Sequence, residues 1–501
     1  MNSTNDQFIR TLMVGAAAVA ALQLAACGKG GGQQARAPAQ PGQAASTLAL
    51  ADQPFTSSQA QAILQTLAHA SDQGFNPAAF GDVQRIQQLL ASSDAGQSAQ
   101  GQHLLRAAVL KYARAQHGLG LPTNRFPKEW GIRPAAYDAD LDLRTAQGAN
   151  RIEDWLKSLP PPDPRYQALV EALATYRQIA ARSGWQTLPA HGTLRQGSRG
   201  QIVEALKARL AAEDASAAQA APQGVYDDSL AQAVSSFQTR HLLQPTGEVG
   251  TKTWAALNVP VQTRIQQIRA NLERWRWLPR TLPATRVEVD AASDVMDYYQ
   301  DGNVVLHMLA ASGRPDDQTP MLISAITDIK FNPPWRVPAD IAKKELFPKE
   351  RRDPGYFARN HFVKGPSADV PLVQQAGPKS ALGQVKFEFD NGYGVYLHDT
   401  PSKQAFSLDE REVSHGCVRL QRALDLAKTL LNGVKGYSPD EIDQLVMTND
   451  TRRVPLKTPV PVMILYWTSY VQDGGVWFGS DAYGWDDMLV RLLDAQPSSS
   501  A

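Results

Sequence analysis

Apolar spacing changes character once along this chain, near Val259, and that switch restricts its folds more than any other feature. Before it, Ile63, Leu64, Leu67 and Ala68 recur at helical intervals, as do Leu104, Leu105, Ala108, Val109 and Tyr112. Ile152, Trp155, Leu156 and Leu159 form a third stripe that ends at Pro160-Pro161-Pro162; Leu169, Leu173, Tyr176 and Ile179 form a fourth, stopping near Gly184. After it the period is two. Val287 and Val289 alternate with charges, and Val385, Phe387 and Phe389 alternate with Lys386, Glu388 and Asp390. Val395-Tyr396-Leu397-His398 and Val462 to Tyr466 read as further strands. Turns rich in Gly, Asn and Pro separate them, and a helix carrying Leu424, Ala427, Leu430 and Leu431 follows. The pattern predicts a multidomain α+β protein: an all-α scaffold over 55–190, a small helical module over 191–259 and a mainly-β domain over 260–490.

The chain has 501 residues, which suits several domains of roughly 100–200 residues. With 50 basic against 49 acidic residues it carries no electrostatic footprint for nucleic acid, and no basic stripe is interleaved with aromatics. In the module, Ser198 is placed to cap a helix containing Val203, Leu206 and Leu210. Asp227 or Asp228 can cap a second, with Leu230, Val234 and Phe237, and a third contains Trp254 and Leu257.

The N-terminus reads as a targeting segment over 1–27. Its apolar run from Thr11 to Leu22 is too short and too rich in small residues to stay in a bilayer as a spanning helix. Leu24-Ala25-Ala26-Cys27 resembles a bacterial lipobox. The resemblance implies lipidation of Cys27 as the mature N-terminus and, with Gly28 following, an exported, periplasmic protein anchored to the outer membrane. A plain secretory signal is the alternative. Residues 28–54, mostly Gly, Gln, Ala and Pro, hold too little apolar mass to offset ordering and read as a tether.

The chemistry concentrates in Ser414-His415-Gly416-Cys417-Val418-Arg419. A thiol nucleophile needs a partner that takes its proton, and histidine does so near neutral pH. His415 lies two residues away, and His398 ends a strand and is followed by Asp399. A Gly before the nucleophile lets the backbone turn sharply and aim N–H groups inward. Two other readings fit the same residues. One is a structural metal site of Cys417, His415, His398 and Asp399, although a single thiol without a paired-cysteine motif makes a poor zinc cage. The other is an inert core cysteine. A disulfide between Cys417 and Cys27 is disfavoured, since Cys27 adjoins the tether.

His398, a fifteen-residue gap (399 to 413) and then Ser414-His415-Gly416-Cys417 resemble the signature of L,D-transpeptidases. The likeness extends through Asn271 to Pro279, Phe331 to Pro338, Arg351 to Tyr356, Gly377 to Gly383 and Tyr396 to Pro401. These runs are similar to the large multidomain branch of that family from Gram-negative bacteria. The stretch Leu194 to Asn258 resembles a peptidoglycan-binding module.

The resemblance implies a cysteine thioester formed on a tetrapeptide stem, with D-alanine released and a second stem's amine closing the peptidoglycan cross-link. It makes Cys417 the nucleophile and His398 the general base and acid, oriented by a group near Asp399. Backbone N–H groups of Gly416 and Cys417 would hold the oxyanion, Ser414 and His415 would support the loop, and Arg419 and Tyr396 would face the substrate. No metal or organic cofactor is implied. The implied partners are stem peptides and glycan, with the membrane reached through a lipid anchor only. Residues 338–378 by themselves read as a solvated loop, whereas the resemblance implies an insertion that caps the site, its Lys343, Lys344, Arg351 and Arg352 facing acidic stems. L,D-carboxypeptidase activity and attachment of a lipoprotein to the wall share the same acylation step. A non-catalytic wall-binding lipoprotein is a reading of another class.

Overall fold

A computed structural model describes residues 53–189, 191–214 and 224–495. The targeting segment, Cys27 and most of the predicted tether lie outside the described residues. The tether's expected end at residue 54 is already held: the Gln53 carbonyl accepts from Arg106 and Gln147 at 3.2 and 3.1 Å.

Six helices form the scaffold: α1 Ser57–Ala68, α2 Val83–Leu90, α3 Ala95–Gln116, α4 Ala139–Gly148, α5 Ile152–Ser158 and α6 Pro164–Ala181. Three of the predicted stripes supply its core, with Ile63, Leu67, Leu105, Val109 and Leu159 almost wholly buried and Leu143 of α4 beside them, whereas the fourth stripe, Leu169, Leu173 and Tyr176, joins the core of the β domain. Thr56 starts α1 with a reciprocal capping box to Gln59.

The module is built from α7 Gln201–Glu213, α8 Asp228–Arg240 and α9 Thr251–Leu257 around Leu206, Leu230, Val234 and Phe237. Asp227 caps α8, accepting the Leu230 N–H at 3.0 Å. Ser198 does not cap α7. Gly200, two residues later, is the N-cap, and the Ser198 hydroxyl instead accepts the Arg195 N–H at 3.1 Å within the preceding turn.

α10 Val261–Arg276 joins these parts to the β domain and is buried on nearly every side. Its polar residues pair internally, Arg274 with Asp486 at 2.6 Å and Arg276 with Glu273 at 2.8 Å.

The β domain is a closed barrel. Its strands are β1 Arg286–Asp290, β2 Val295–Gln300, β3 Asn303–Ala311, β4 Leu322–Phe331, β8 Val385–Phe389, β9 Leu397–His398, β10 Val418–Leu420 and β11 Arg452–Leu465, in the order β1-β11-β4-β8-β9-β10-β3-β2. β1–β11 and β9–β10 are parallel. Val287, Val289, Ile326, Phe387, Leu397, Val418 and Ile464 fill its interior.

The alternation expected of β1 is concealed in the structure, because all five of its residues are buried. Scaffold helix α6 covers the outer face, where Arg165 reaches Glu288 at 3.0 Å and Arg286 bonds Glu288 at 2.6 Å.

Between β4 and β8 the chain leaves the barrel and forms the cap. It consists of β5 Trp335–Val337, β6 Phe362–Lys364 and β7 Leu372–Gln374 in the order β5-β7-β6, with short helical turns over 339–359. Val337, Ala342, Leu346, Phe362 and Leu372 give it a small core of its own. A hairpin of β12 Ser469–Gln472 and β13 Gly475–Phe478 follows the barrel. Helix α11 Ala423–Leu430 comes directly after β10, α12 Pro439–Met447 precedes β11, and α13 Trp485–Asp494 ends the described chain.

Candidate active site

Cys417 stands at the entrance to β10. The parallel register sets Val418 beside Leu397 and Arg419 beside His398, and antiparallel pairing sets Lys386 of β8 beside His398. Leu397, Val418 and Phe387 point into the barrel. Because side chains alternate along a strand, Cys417, Arg419, Tyr396, His398 and Lys386 share the opposite face. The Tyr396 and His398 rings meet edge to face at 5.5 Å, and the Lys386 ammonium lies 3.9 Å from the Tyr396 ring centre.

His398 is buried, and its Nδ1 lies 2.5 Å from the Asp399 carbonyl oxygen. A carbonyl can only accept, so Nδ1 carries the proton and a neutral ring keeps Nε2 free to accept one. The orienting group is thus the main chain of Asp399. Its carboxylate turns elsewhere, accepting from the Gln384 N–H at 2.9 Å and from Lys403 at 2.6 Å. Burial, then the charge of Arg419, pushes the imidazolium down to about 3, with Lys386 and Lys403 adding to the effect.

Burial likewise pushes the Cys417 thiol up, and hydrogen bonds from the backbone and side chain of Tyr396 only partly oppose it. Burial thus favours the neutral form of both the thiol and the imidazole. Arg419 is half-buried, its guanidinium pushed down by desolvation, and it has no hydrogen-bond or ion-pair partner among the described residues.

Ser414 is buried, its hydroxyl donating to the Cys417 carbonyl at 2.5 Å and accepting the Gly416 N–H at 3.1 Å. One of the two backbone donors expected to hold an oxyanion is thereby engaged. The N–H of Cys417 has no acceptor among the described residues. Gly416 has φ +101°, a conformation open to glycine and costly for other residues.

His415 points away from the thiol's partners toward the cap. Its Nε2 donates to Glu345 at 2.6 Å, with Arg314 at 3.6 Å from the same carboxylate. Burial alone would raise the Glu345 pKa, but His415 and Arg314 hold it below the ordinary range. The cap residue that reaches the loop carrying Cys417 is thus acidic, and it lies in a π-helical turn over Ala342–Leu346. Lys343, Lys344, Arg351 and Arg352, expected to face the substrate, are exposed.

Glu345, Arg314 and Lys386 were not singled out from sequence. Only Lys386, alternating with apolar residues on a predicted strand, carried a signal that could have placed it. Among the described residues no group of three or more His, Cys, Asp or Glu is arranged to hold a metal ion. A cleft of about 720 Å³ between α6, the module and the β12–β13 hairpin contains none of the predicted site residues.

Comparison with known families decides what this barrel is. Residues 284–462 match the L,D-transpeptidase catalytic domain. The chain carries an L,D-transpeptidase catalytic domain. Residues 47–173 match a scaffold domain, and 199–257 match a family described as "Putative peptidoglycan binding domain".

A Haemophilus influenzae protein named "Putative L,D-transpeptidase" is 28% identical over 241 residues, covering 45% of this chain and 49% of that protein. The chain thus spans about half the length of the curated relative it matches. Among solved structures, an L,D-transpeptidase from Xylanimonas cellulosilytica is 19% identical, covering 55% of this chain and 98% of the other, with a TM-score of 0.20. The catalytic domain of an Enterococcus faecium L,D-transpeptidase is 18% identical, covering 37% and 98%, also at 0.20. The assignment of the L,D-transpeptidase domain rests on the match over 284–462, within which Cys417, His398, Arg419 and the cap all lie.

Proposed function

We propose that this protein cross-links peptidoglycan as an L,D-transpeptidase through a Cys417 thioester. The observation that carries the reading is the register of β9 and β10. It sets Cys417 and His398 on one face of adjacent strands, with Nδ1 of His398 tied to a carbonyl and Nε2 left as the base.

His398 Nε2 takes the thiol proton as Sγ bonds to the carbonyl carbon of the third stem residue. The N–H of Cys417 receives the oxyanion. The C–N bond to D-alanine breaks, and the leaving amine takes the proton from His398. An amine of a second stem then attacks the thioester, passes its proton to His398, and the thiol is restored.

Burial pushes the thiol up and the imidazole down, which favours the neutral form of each, so proton transfer would accompany attack. Arg419, unpaired beside His398, is the group for a stem carboxylate. Burial is the larger cause of the depressed His398 value, and binding that carboxylate would offset the second cause, the Arg419 charge.

The module would hold glycan or stem peptide, which places the enzyme at the cell wall. The lipobox reading of Cys27 puts it in the periplasm on an outer-membrane anchor.

Incubating the chain without residues 1–27 with purified disaccharide-tetrapeptide should yield cross-linked dimer and free D-alanine by mass spectrometry. A carbapenem should add once, at Cys417. An adduct that persists in Cys417→Ala would remove the reading. Tripeptide without dimer would make the enzyme a carboxypeptidase.

A further inference from the structure

We propose that Thr319 and Tyr483 are positioning residues that aim the Cys417 N–H at the oxyanion. Tyr483 lies beyond the matched catalytic domain, which ends at residue 462. The inference rests on the reading of Cys417 as the nucleophile.

After β3 the chain runs alongside the nucleophile turn: the Ser414 N–H donates to the Ser312 carbonyl at 2.8 Å, and the Arg314 N–H donates to the Ser414 carbonyl at 3.0 Å. The two segments can approach because Gly313 lacks a side chain; a Cβ there would lie 2.0 Å from the Asp317 carbonyl oxygen and 3.0 Å from Gly416 Cα.

Thr319 lies in this contact, 1% exposed. Its hydroxyl accepts the Gly313 N–H at 2.8 Å and donates to the Gly416 carbonyl at 2.9 Å. The Tyr483 hydroxyl donates to the Gly313 carbonyl at 2.7 Å and accepts the Thr319 N–H at 3.2 Å. The single Tyr483 proton goes to the Gly313 carbonyl at 2.7 Å, the nearer of its two acceptors, the other being Ser312 Oγ at 3.5 Å, and the single Thr319 proton goes to Gly416. Burial raises the Tyr483 pKa, which keeps this donor protonated.

Tyr483 is itself fixed. Its N–H donates to the Tyr466 hydroxyl at 3.0 Å, and the Asp481 carboxylate accepts the N–H groups of Trp485 and Asp486, each at 2.9 Å. The Trp485 indole donates to the Gln318 side chain at 3.1 Å on the same loop.

The consequence follows from the planar trans peptide. The carbonyl of Gly416 and the N–H of Cys417 belong to one peptide unit and point in opposite directions. A hydroxyl that draws the carbonyl inward turns the N–H outward, where it has no acceptor among the described residues. Without Thr319, the peptide is free to rotate and the donor is lost. Tyr483 acts one step back, by holding both Gly313 and Thr319.

The test uses two probes of one thiol on the full chain. Imipenem acylation develops an oxyanion as Sγ bonds to the lactam carbon and the C–N bond opens. Alkylation by iodoacetamide displaces iodide and develops none.

Losing one oxyanion donor costs about 10²-fold or more, so Thr319→Val should slow the first-order acylation constant by about that factor. Half-saturation should change less than about twofold, because the donor acts in the transition state. Tyr483→Phe should lose about tenfold, and Thr319→Ser should return to within about threefold of wild type.

Alkylation should match wild type in all three. Acylation at the wild-type rate in folded Thr319→Val and Tyr483→Phe would overturn the proposal, as would a parallel fall in alkylation. If Thr319→Val does not fold, Tyr483→Phe, which removes one oxygen, decides alone. If wild-type Cys417 takes no adduct, the nucleophile reading fails first and this inference falls with it.

Discussion

His398 and His415 approach the same turn at Cys417 from two regions, the barrel wall and the loop facing the cap, and their surroundings are opposites. His398 is buried among Arg419, Lys386 and Lys403, with only a carbonyl to bond. His415 is partly exposed and faces the Glu345 carboxylate. A cationic, dry setting keeps an imidazole neutral and free to accept a proton. A carboxylate partner ties the other ring down as a strut. The sequence signature contains both residues, and the resemblance it carries implies different parts for them; the structure adds the surroundings of each.

The largest test of that contrast is His398→Ala. Loss of general acid–base help should cut imipenem acylation by about 10²- to 10⁴-fold at pH 7. Because burial pushes the Cys417 thiol above its ordinary value, recovery in this variant should appear only at alkaline pH, above the free-thiol range. Acylation against pH, with circular dichroism as the folding check, measures both. A folded variant acylating at the wild-type rate at pH 7 would transfer the base role to His415.

Next comes the strut. Glu345→Gln and His415→Ala should each slow acylation about tenfold through misplacement of the loop, with little recovery at high pH. Hydrogen exchange over 339–359 should quicken in both variants. Loss as large as in His398→Ala, with alkaline recovery, would erase the distinction between the two histidines.

A smaller effect concerns stability. An imidazole with a folded-state pKa of about 3 binds fewer protons than the unfolded chain between that value and about 6.5. Stability from this group is therefore complete above about pH 6.5 and declines as pH falls toward 3. His398→Gln should remove this share of the acid dependence. Paired thermal melts from pH 7 to 4 would show it as a narrowing gap between wild type and variant. A constant gap would mean that His398 is not held neutral by its surroundings.

The smallest effect is expected where charges pair in water. Lys252 of the module meets Asp409 and Glu410, on the loop before Ser414, at 2.9 and 3.3 Å, with its side chain half exposed. Lys252→Ala should cost about 0–1 kcal/mol in denaturant unfolding and leave acylation unchanged. A loss of acylation would show that the module acts on the nucleophile loop, adding a third region to the contrast.

Much of the architecture was legible because it rests on period. The scaffold stripes, the module's Asp227 cap and strands such as Val385–Phe389 are local patterns, and local hydrogen bonding answers to them. β1 was harder to read: charges alternate with valines along it, yet helix α6 arrives from far along the chain and buries every residue. Ser198 was misplaced as a cap because a Gly at positive φ two residues later suits the helix start as well.

In the site, residues adjacent in sequence to the signature were named, and those brought by the fold were not. Glu345 is 70 residues from His415, Thr319 is 97 from Gly416, and Tyr483 is 170 from Gly313.

The sequence by itself determined which side chains are candidates for chemistry, because a thiol, an imidazole and a glycine turn are properties of residue type and close spacing. It determined the element types too, since period is written along the chain. Only the tertiary structure decided the burial of Cys417 and His398, the partners of the two histidines, the solitude of Arg419 and the direction of the Cys417 N–H. Each depends on desolvation, charge or a hydrogen bond acting through space, and distance through space is what folding sets and sequence separation does not.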